Sequence, residues 1–383
     1  MKKLLVVHTE YQIPGGEDIA VNNEAKFLSE NFDVKKLIFS NNIDNYFSQS
    51  LNFIKNKNNQ SIRILHDDIK SFKPDRVYIH NTWFKASLGV FDLLRDLEMK
   101  PLLKLHNYRY DCTKSFLVRE HLKNNNPCKA CGLEVGNNRV FNKYFEDSYL
   151  KSFFVNSYGK KYFNVLQNYN LDLIVLTNFH RAYLKDVNKI DRDISVIPNI
   201  IEPQEIDKVT SNRPYLIYAG RISKEKGVEE LIKSFIECNF ENLTLKIVGD
   251  GPLMDYLKIK YNKNNIQFSR FIPNKEVLTL INNALAVVTA TKLYEGQPTL
   301  LCEASAMGIP SIFPKTGGIS EFFPENYPLS FDQFNYESLK EKLKLILTIE
   351  NLNQIGIANK QFINNYLENT KLLNKFERLI NGQ

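Results

Sequence analysis

Short apolar runs, each followed by a loop and then a helix-length stretch, recur along the whole chain. In the first half, residues 4–7, 76–79, 101–105, 173–176 and 193–197 have the composition of buried strands. The second half repeats the scheme with residues 215–218, 243–248, 266–268, 286–288 and 311–313. Strands that alternate with helices imply a parallel sheet, because each crossover carries a helix over one face. The chain therefore reads as two α/β domains, residues 1–197 and 198–356, joined near Pro198-Asn199. The tail, 357–383, is predicted to be helical, with apolar positions at Phe362, Tyr366, Leu372, Leu373, Phe376 and Leu379. A length of 383 residues suits two domains of ordinary size, and 43% hydrophobic residues suffice for their cores without disulfides.

Two carboxylates, Glu295 and Glu303, stand on either side of Gly296-Gln297-Pro298-Thr299. The run before them is a strand, and Gly308-Ile309-Pro310 after them is a helix stop. Pro298 suits the first turn of the intervening helix. Glu295 is thus expected in a loop at a strand's carboxyl end, with Glu303 projecting from the helix, in the usual ligand crevice of an open α/β sheet. A helix N-terminus favours phosphate and a carboxylate accepts hydrogen bonds from sugar hydroxyls, so together they suit a sugar nucleotide. One loop acid and one solvated helix acid would show the same spacing. The loop after Tyr218 holds Arg221 and Lys226 with Gly220 and Gly227 around them. Arg and Lys can clamp a diphosphate and stabilise its departure. An ordinary charged loop would also contain such residues.

In order, Tyr218-Ala-Gly-Arg-Ile, Glu225-Lys-Gly, Val248-Gly-Asp-Gly-Pro, Glu295-Gly-x-Pro, Glu303-Ala-x-Ala-x-Gly-x-Pro and Thr316-Gly-Gly-Ile-Ser-Glu resemble the signatures of the retaining family 4 glycosyltransferases. The resemblance spans residues 215–321 and implies the GT-B fold, two Rossmann-like domains facing across a cleft. It implies that Arg221 and Lys226 bind the donor diphosphate and that Glu303 holds the ribose. It places Glu295 against the donor sugar, with Gly249, Gly296, Gln297, Pro298 and Thr299 lining the donor. Gln297 departs from the family, which usually has Phe there. In the first domain Pro14-Gly15-Gly16-Glu17 resembles the glycine loop beside the donor phosphates. His106 resembles a strand-end His that contacts sugar or acceptor, although Asn107 stands where Asp often follows. The last helix is expected to return to the first domain.

The activity so implied is retaining transfer of a sugar from a nucleotide-diphosphate donor to a hydroxyl of a saccharide, lipid-linked in surface polysaccharide synthesis. It needs no metal or other cofactor: no Asp-x-Asp motif lies in a fitting loop. Two alternatives remain, a non-hydrolysing sugar-nucleotide epimerase and a non-catalytic donor-binding subunit. His106-Asn-Tyr-Arg-x2-Cys112 followed by Cys128-x2-Cys131 resembles a subgroup that builds surface polysaccharides. The Cys-x2-Cys spacing suits a structural zinc on Cys112, Cys128 and Cys131, with His121 a further candidate. Tyr144 stands near the place of the subgroup's fourth cysteine.

Charge is uneven. Residues 101–190 hold fourteen Lys/Arg and seven Asp/Glu, which accounts for the whole net charge of +7. This excess, interleaved with aromatics such as Tyr149, Phe153, Phe154, Tyr162 and Phe163, suits an anionic membrane surface; a core of aromatics with solvated lysines would look the same. Nucleic acid is not expected as a partner. No run of about eighteen apolar residues exists, and the first seven residues are too short for a secretory signal. Five cysteines, an odd number, fit a reducing compartment. The expected location is the cytoplasm, peripheral at the inner face of the membrane.

Overall fold

The computed structural model describes residues 1–12, 15–42, 46–112, 148–202, 206 and 213–382. They divide into two compact units, Met1–Ile200 with Asn369–Gln383, and Ile201–Glu368.

The first unit contains β1 (Lys3–Glu10), α1 (Gly16–Ser29), β2 (Asp33–Ser40), α2 (Tyr46–Lys55), α3 (Asn59–Phe72), β3 (Arg76–Ile79) and α4 (Gly89–Asp96). It continues with β4 (Leu102–Leu105), α5 (Tyr149–Asn168), β5 (Asp172–Val175), α6 (Asn178–Ala182) and β6 (Ile194–Val196). The strands form one parallel sheet in the order β2-β1-β3-β4-β5-β6. Leu4 to Val7 of β1 are buried on both faces, as a central strand covered by helices on either side must be. β2 has no counterpart among the apolar runs. It is an edge strand with Lys35 and Lys36 at its middle and little of it buried, so no apolar run marks it. Lys35 instead reaches Asp68 of α3 at 2.9 Å.

The second unit contains β7 (Tyr215–Ala219), α7 (Val228–Glu237), β8 (Thr244–Val248), α8 (Met254–Lys260), β9 (Ile266–Ser269), α9 (Asn274–Asn282) and β10 (Ala286–Val288). Then follow α10 (Thr299–Ala306), β11 (Ser311–Lys315), β12 (Ser330–Asp332), α11 (Tyr336–Thr348) and α12 (Leu352–Tyr366). This sheet is also parallel, in the order β12-β11-β10-β7-β8-β9. In each sheet the first strand has later strands on both sides, β2 and β3 about β1, and β8 and β10 about β7. The strand order reverses there, and such a switch point opens a crevice at the carboxyl ends of the strands.

The tail is two helices rather than one. α12 buries Gly356, Asn359 and Ile363 in the second unit, where Asn359 Nδ2 donates to Ser305 Oγ of α10. The chain then breaks at Leu367-Glu368, and α13 (Asn369–Asn381) buries Leu372, Phe376 and Ile380 in the first unit. A continuous helix cannot present one apolar face to two separate cores. Carbonyls in the last turn of α13 are claimed by first-unit side chains: Arg76 donates to Leu379 O at 2.7 Å and Lys2 to Ile380 O at 3.5 Å.

Candidate active site

In the second unit the loops after β7 and β10 flank the switch point. The first runs through Gly220 and Arg221 into a 3-10 turn, Lys224–Lys226, ahead of α7. The second runs from Thr291 to Pro298, the residue that caps α10. A charged pair joins them: Lys226 Nζ lies 2.6 Å from Glu295 Oε1, which also accepts from Thr291 Oγ1 at 2.8 Å. The two side chains are only 30% and 22% exposed. Lys292 N donates to Glu225 O at 3.0 Å, a backbone tie between the same loops. Arg221 is exposed; its own carbonyl accepts from Tyr218 Oη at 2.8 Å, which fixes the backbone that carries it.

Glu303 projects from α10 five residues after Pro298, and its carboxylate makes no hydrogen bond or ion pair with any described residue. Burial pushes its carboxyl up to about 7. Thr299 opens the helix, and Gly296, Pro298 and Thr299 are half-buried. Gln297 is turned inward beside the buried Cys302, whose thiol burial holds high. Its side chain therefore serves the packing of α10.

Glycines set how close these loops lie. Gly249, with φ +136°, has no room for a Cβ because the Gly220 carbonyl occupies that place. Gly220 N donates to Val248 O at 2.9 Å and Ile222 N to Asp250 O at 2.8 Å, which ties the loop after β7 to the one after β8. At Gly317, φ +56°, a Cβ would stand 2.7 Å from Glu295 N and closer still to its carbonyl. Gly317→Ala should therefore cost about 2 kcal/mol through backbone strain alone, seen by calorimetry as a lower melting temperature of the second unit. An unchanged transition would show that the Glu295 loop gives way freely.

The first unit gathers its own polar groups at the carboxyl end of its sheet. Gly15 caps α1 and Gly16 opens it. Gly15 N donates to Asp18 Oδ2 at 2.7 Å, and Asp18 Oδ1 lies 2.8 Å from His8 Nε2. Glu17 accepts from Tyr11 Oη at 2.9 Å and from Asn107 Nδ2 at 3.3 Å, so Asn107 anchors the α1 end to the loop after β4. Burial raises the Glu17 carboxyl, against the pull of His8 and Arg109. Arg109 lies over the Trp83 ring at 4.5 Å, with Nε and Nη1 unpartnered. His106, just past β4, is half-buried and bonds His80. His80 carries no sequence signal beyond its place after an apolar run.

Of the residues considered for zinc, Cys112 is buried, whereas His121, Cys128 and Cys131, like Tyr144, lie outside the described residues. Among the described residues no group of three or more His, Cys, Asp or Glu could hold a metal ion.

Residues 201–365 match the model of the family described as glycosyl transferases group 1. The capsular polysaccharide biosynthesis glycosyltransferase CapM of Staphylococcus aureus is 23% identical over 188 residues, 46% of this chain and 48% of CapM. The curated relatives are matched over 31% to 56% of their own length. The sucrose-phosphate synthase of Thermosynechococcus elongatus superposes with a TM-score of 0.72 at 14% identity, covering 100% of this chain and 99% of that one. Anabaena Alr3699/HepE in complex with UDP-glucose superposes with a TM-score of 0.69 at 14% identity, over 99% of this chain and 100% of that one. Residues 201–365 are thus similar to the group 1 glycosyltransferases, and the chain over its full length has the GT-B fold of these structures.

Proposed function

We propose that the chain transfers a sugar, with retention, from a nucleotide-diphosphate donor to a hydroxyl of a saccharide acceptor in surface polysaccharide assembly. The observation that carries this reading is the Lys226–Glu295 pair, which joins the loop that holds Arg221 to the loop that leads into α10, at the switch point of the second sheet. Arg221, Lys226 and the α10 N-terminus offset the charge that grows on the departing diphosphate. The anomeric carbon's bond to the phosphate oxygen breaks as a bond to the acceptor oxygen forms on the same face, and the leaving phosphate takes the acceptor's proton. No metal enters this scheme. Glu303 holds the ribose, and Glu295, kept in place by Thr291, meets the sugar. Gly220, Gly249 and Gly296 to Thr299 line the donor; Gly15, Gly16 and His106 are the first unit's contribution. CapM's role in capsule synthesis and the UDP-glucose bound to HepE support the reading.

Incubation of the protein with a panel of sugar nucleotides and a membrane extract tests it. Label passing into a saccharide or lipid fraction supports transfer. A converted free sugar nucleotide would mean epimerisation, and binding without turnover a non-catalytic subunit.

The position of Glu303 gives a pH dependence. Below about 7 it is neutral, and above that it is a carboxylate able to accept from both ribose hydroxyls. Affinity for a nucleotide sugar, whose diphosphate diester does not titrate in this range, should rise roughly tenfold between about pH 6 and about pH 8. Glu303→Gln should flatten the profile in calorimetry; a profile that persists in that variant would remove the ribose role. The folded value lies above the unfolded one, so in the ligand-free protein this group's contribution to stability is lost as pH rises through about 7.

The first turn of α5 extends the reading to a lipid-linked acceptor. Tyr149, Leu150 and Phe153 are 57%, 65% and 53% exposed, with Lys151 among them and Lys160 and Lys161 exposed further along. Tyr162, by contrast, is core. No described helix is long and apolar enough to cross a membrane. Apolar and basic side chains at one helix end suit an anionic headgroup surface.

A further inference from the structure

Beneath His106 lies a buried chain of polar groups. Glu24 of α1, 1% exposed, accepts from Tyr78 Oη at 2.5 Å through Oε1 and from the fully buried Lys104 Nζ through Oε2. Lys104 also donates to Pro198 O at 3.4 Å. On the far side of the carboxylate, His80 Nε2 stands 3.9 Å from Glu24 Oε1. The other nitrogen of that ring, Nδ1, is 2.9 Å from His106 Nε2. Burial pushes both imidazoles well below their ordinary value, helped for His80 by His106, Lys104 and His8, and for His106 by Lys104, His8 and His180. Both rings are therefore neutral near pH 7, and each carries one N–H.

Only two proton arrangements satisfy the contact between the rings. In one, His80 Nδ1 donates to His106 Nε2; His80 Nε2 is then bare and turns its lone pair toward the Glu24 carboxylate. In the other, His106 Nε2 donates to His80 Nδ1, and the His80 proton sits on Nε2, facing the carboxylate. A lone pair aimed at a buried anion is repulsive and an N–H aimed at it is attractive, and both effects are strong where water is excluded. The second arrangement wins. It leaves His106 with a bare Nδ1, to which no described residue donates.

We propose that Glu24, acting through His80, fixes the tautomer of His106 so that its Nδ1 offers a lone pair to a hydroxyl of the sugar substrate. His80 is thus a positioning residue, and His106 receives hydroxyl donors and rejects phosphate or carboxylate oxygens, which bring no proton. The proposal rests on the reading above that His106 meets the sugar.

The tautomer is measurable without activity. In the full chain with 15N-labelled histidine, long-range proton–nitrogen spectra distinguish a bare ring nitrogen from a protonated one, and loss of signals in His80→Asn and His106→Asn assigns the two rings. The expected result near neutral pH is a bare Nδ1 and a protonated Nε2 on His106, with the same pattern on His80. A protonated Nδ1 on His106, or an imidazolium on either ring, overturns the proposal. The use of the tautomer is read from turnover. His80→Leu should lower kcat/KM for transfer about tenfold, the worth of one hydrogen bond, with nucleoside diphosphate affinity unchanged. His80→Asn, whose amide oxygen stands near the lost Nδ1, should restore most of it. Full turnover in His80→Leu would overturn the functional half even with the expected spectrum. If no sugar nucleotide is turned over by the wild type, the transfer reading fails, while the spectrum still decides the tautomer.

Discussion

Lys226→Ala and Arg221→Ala should each lower kcat for sugar transfer by about a hundredfold to a thousandfold, the usual loss when one preorganised partner of a developing negative charge is removed. The two variants should differ in what else they disturb. Arg221 is exposed on a fixed backbone, so its removal should leave stability within about 0.5 kcal/mol. Lys226 is paired with Glu295 in the ligand-free protein, so its loss leaves that carboxylate with Thr291 alone. The pair is partly exposed, and its rupture should cost no more than about 1 kcal/mol. On the proposed reading an arriving diphosphate competes with Glu295 for Lys226, so Glu295→Ala should bind free nucleoside diphosphate at least as well as wild type while transferring sugar poorly. Steady-state kinetics with the donor identified in the panel experiment, together with calorimetry, checks both points. Unchanged turnover in either cation variant would withdraw the clamp.

The second large effect lies in the core of the first unit. Lys104→Met should destabilise that unit by about 3–5 kcal/mol, because it leaves the Glu24 carboxylate buried with no cation. Adding Glu24→Gln in the same chain should recover much of the loss, since an amide without a charge is far less costly to bury. The chain's single tryptophan, Trp83, is 6% exposed in this unit, so its fluorescence follows the unfolding of this unit specifically. Equal transitions in wild type and Lys104→Met would mean that water reaches the carboxylate.

This network also marks how far the sequence could be read. Apolar runs locate ten of the strands because those strands are buried in parallel sheets; β2 was hidden by its edge lysines and β12 by having a single apolar residue, Phe331, between Ser330 and Asp332. The motif residues of the second unit were legible because Arg221, Lys226, Glu295 and Glu303 stand at fixed distances from strand ends and glycines. Their pairing was not, since Lys226 and Glu295 are 69 positions apart and either could have faced solvent. Lys104 lay in plain view inside an apolar run, yet a lysine there says only that an acid must exist. Which acid depends on α1 crossing the sheet at Glu24, 80 positions earlier. His80 is the same case: its chemistry comes from its two neighbours, and neither is near it in sequence.

The last helix closes the core that this network occupies. Phe376 of α13 is fully buried, 6.0 Å from the Tyr78 ring, with Lys104 Nζ 5.8 Å above its own ring. During synthesis, residues 201–368 leave the ribosome before α13 does, and domains generally fold as units as they emerge. The first-made unit is therefore the last to be finished: it waits, with Glu24 and Lys104 under an open face, while the later-made unit completes itself. Released chains that end at residue 368 should have a folded second unit and a first unit that still binds chaperones.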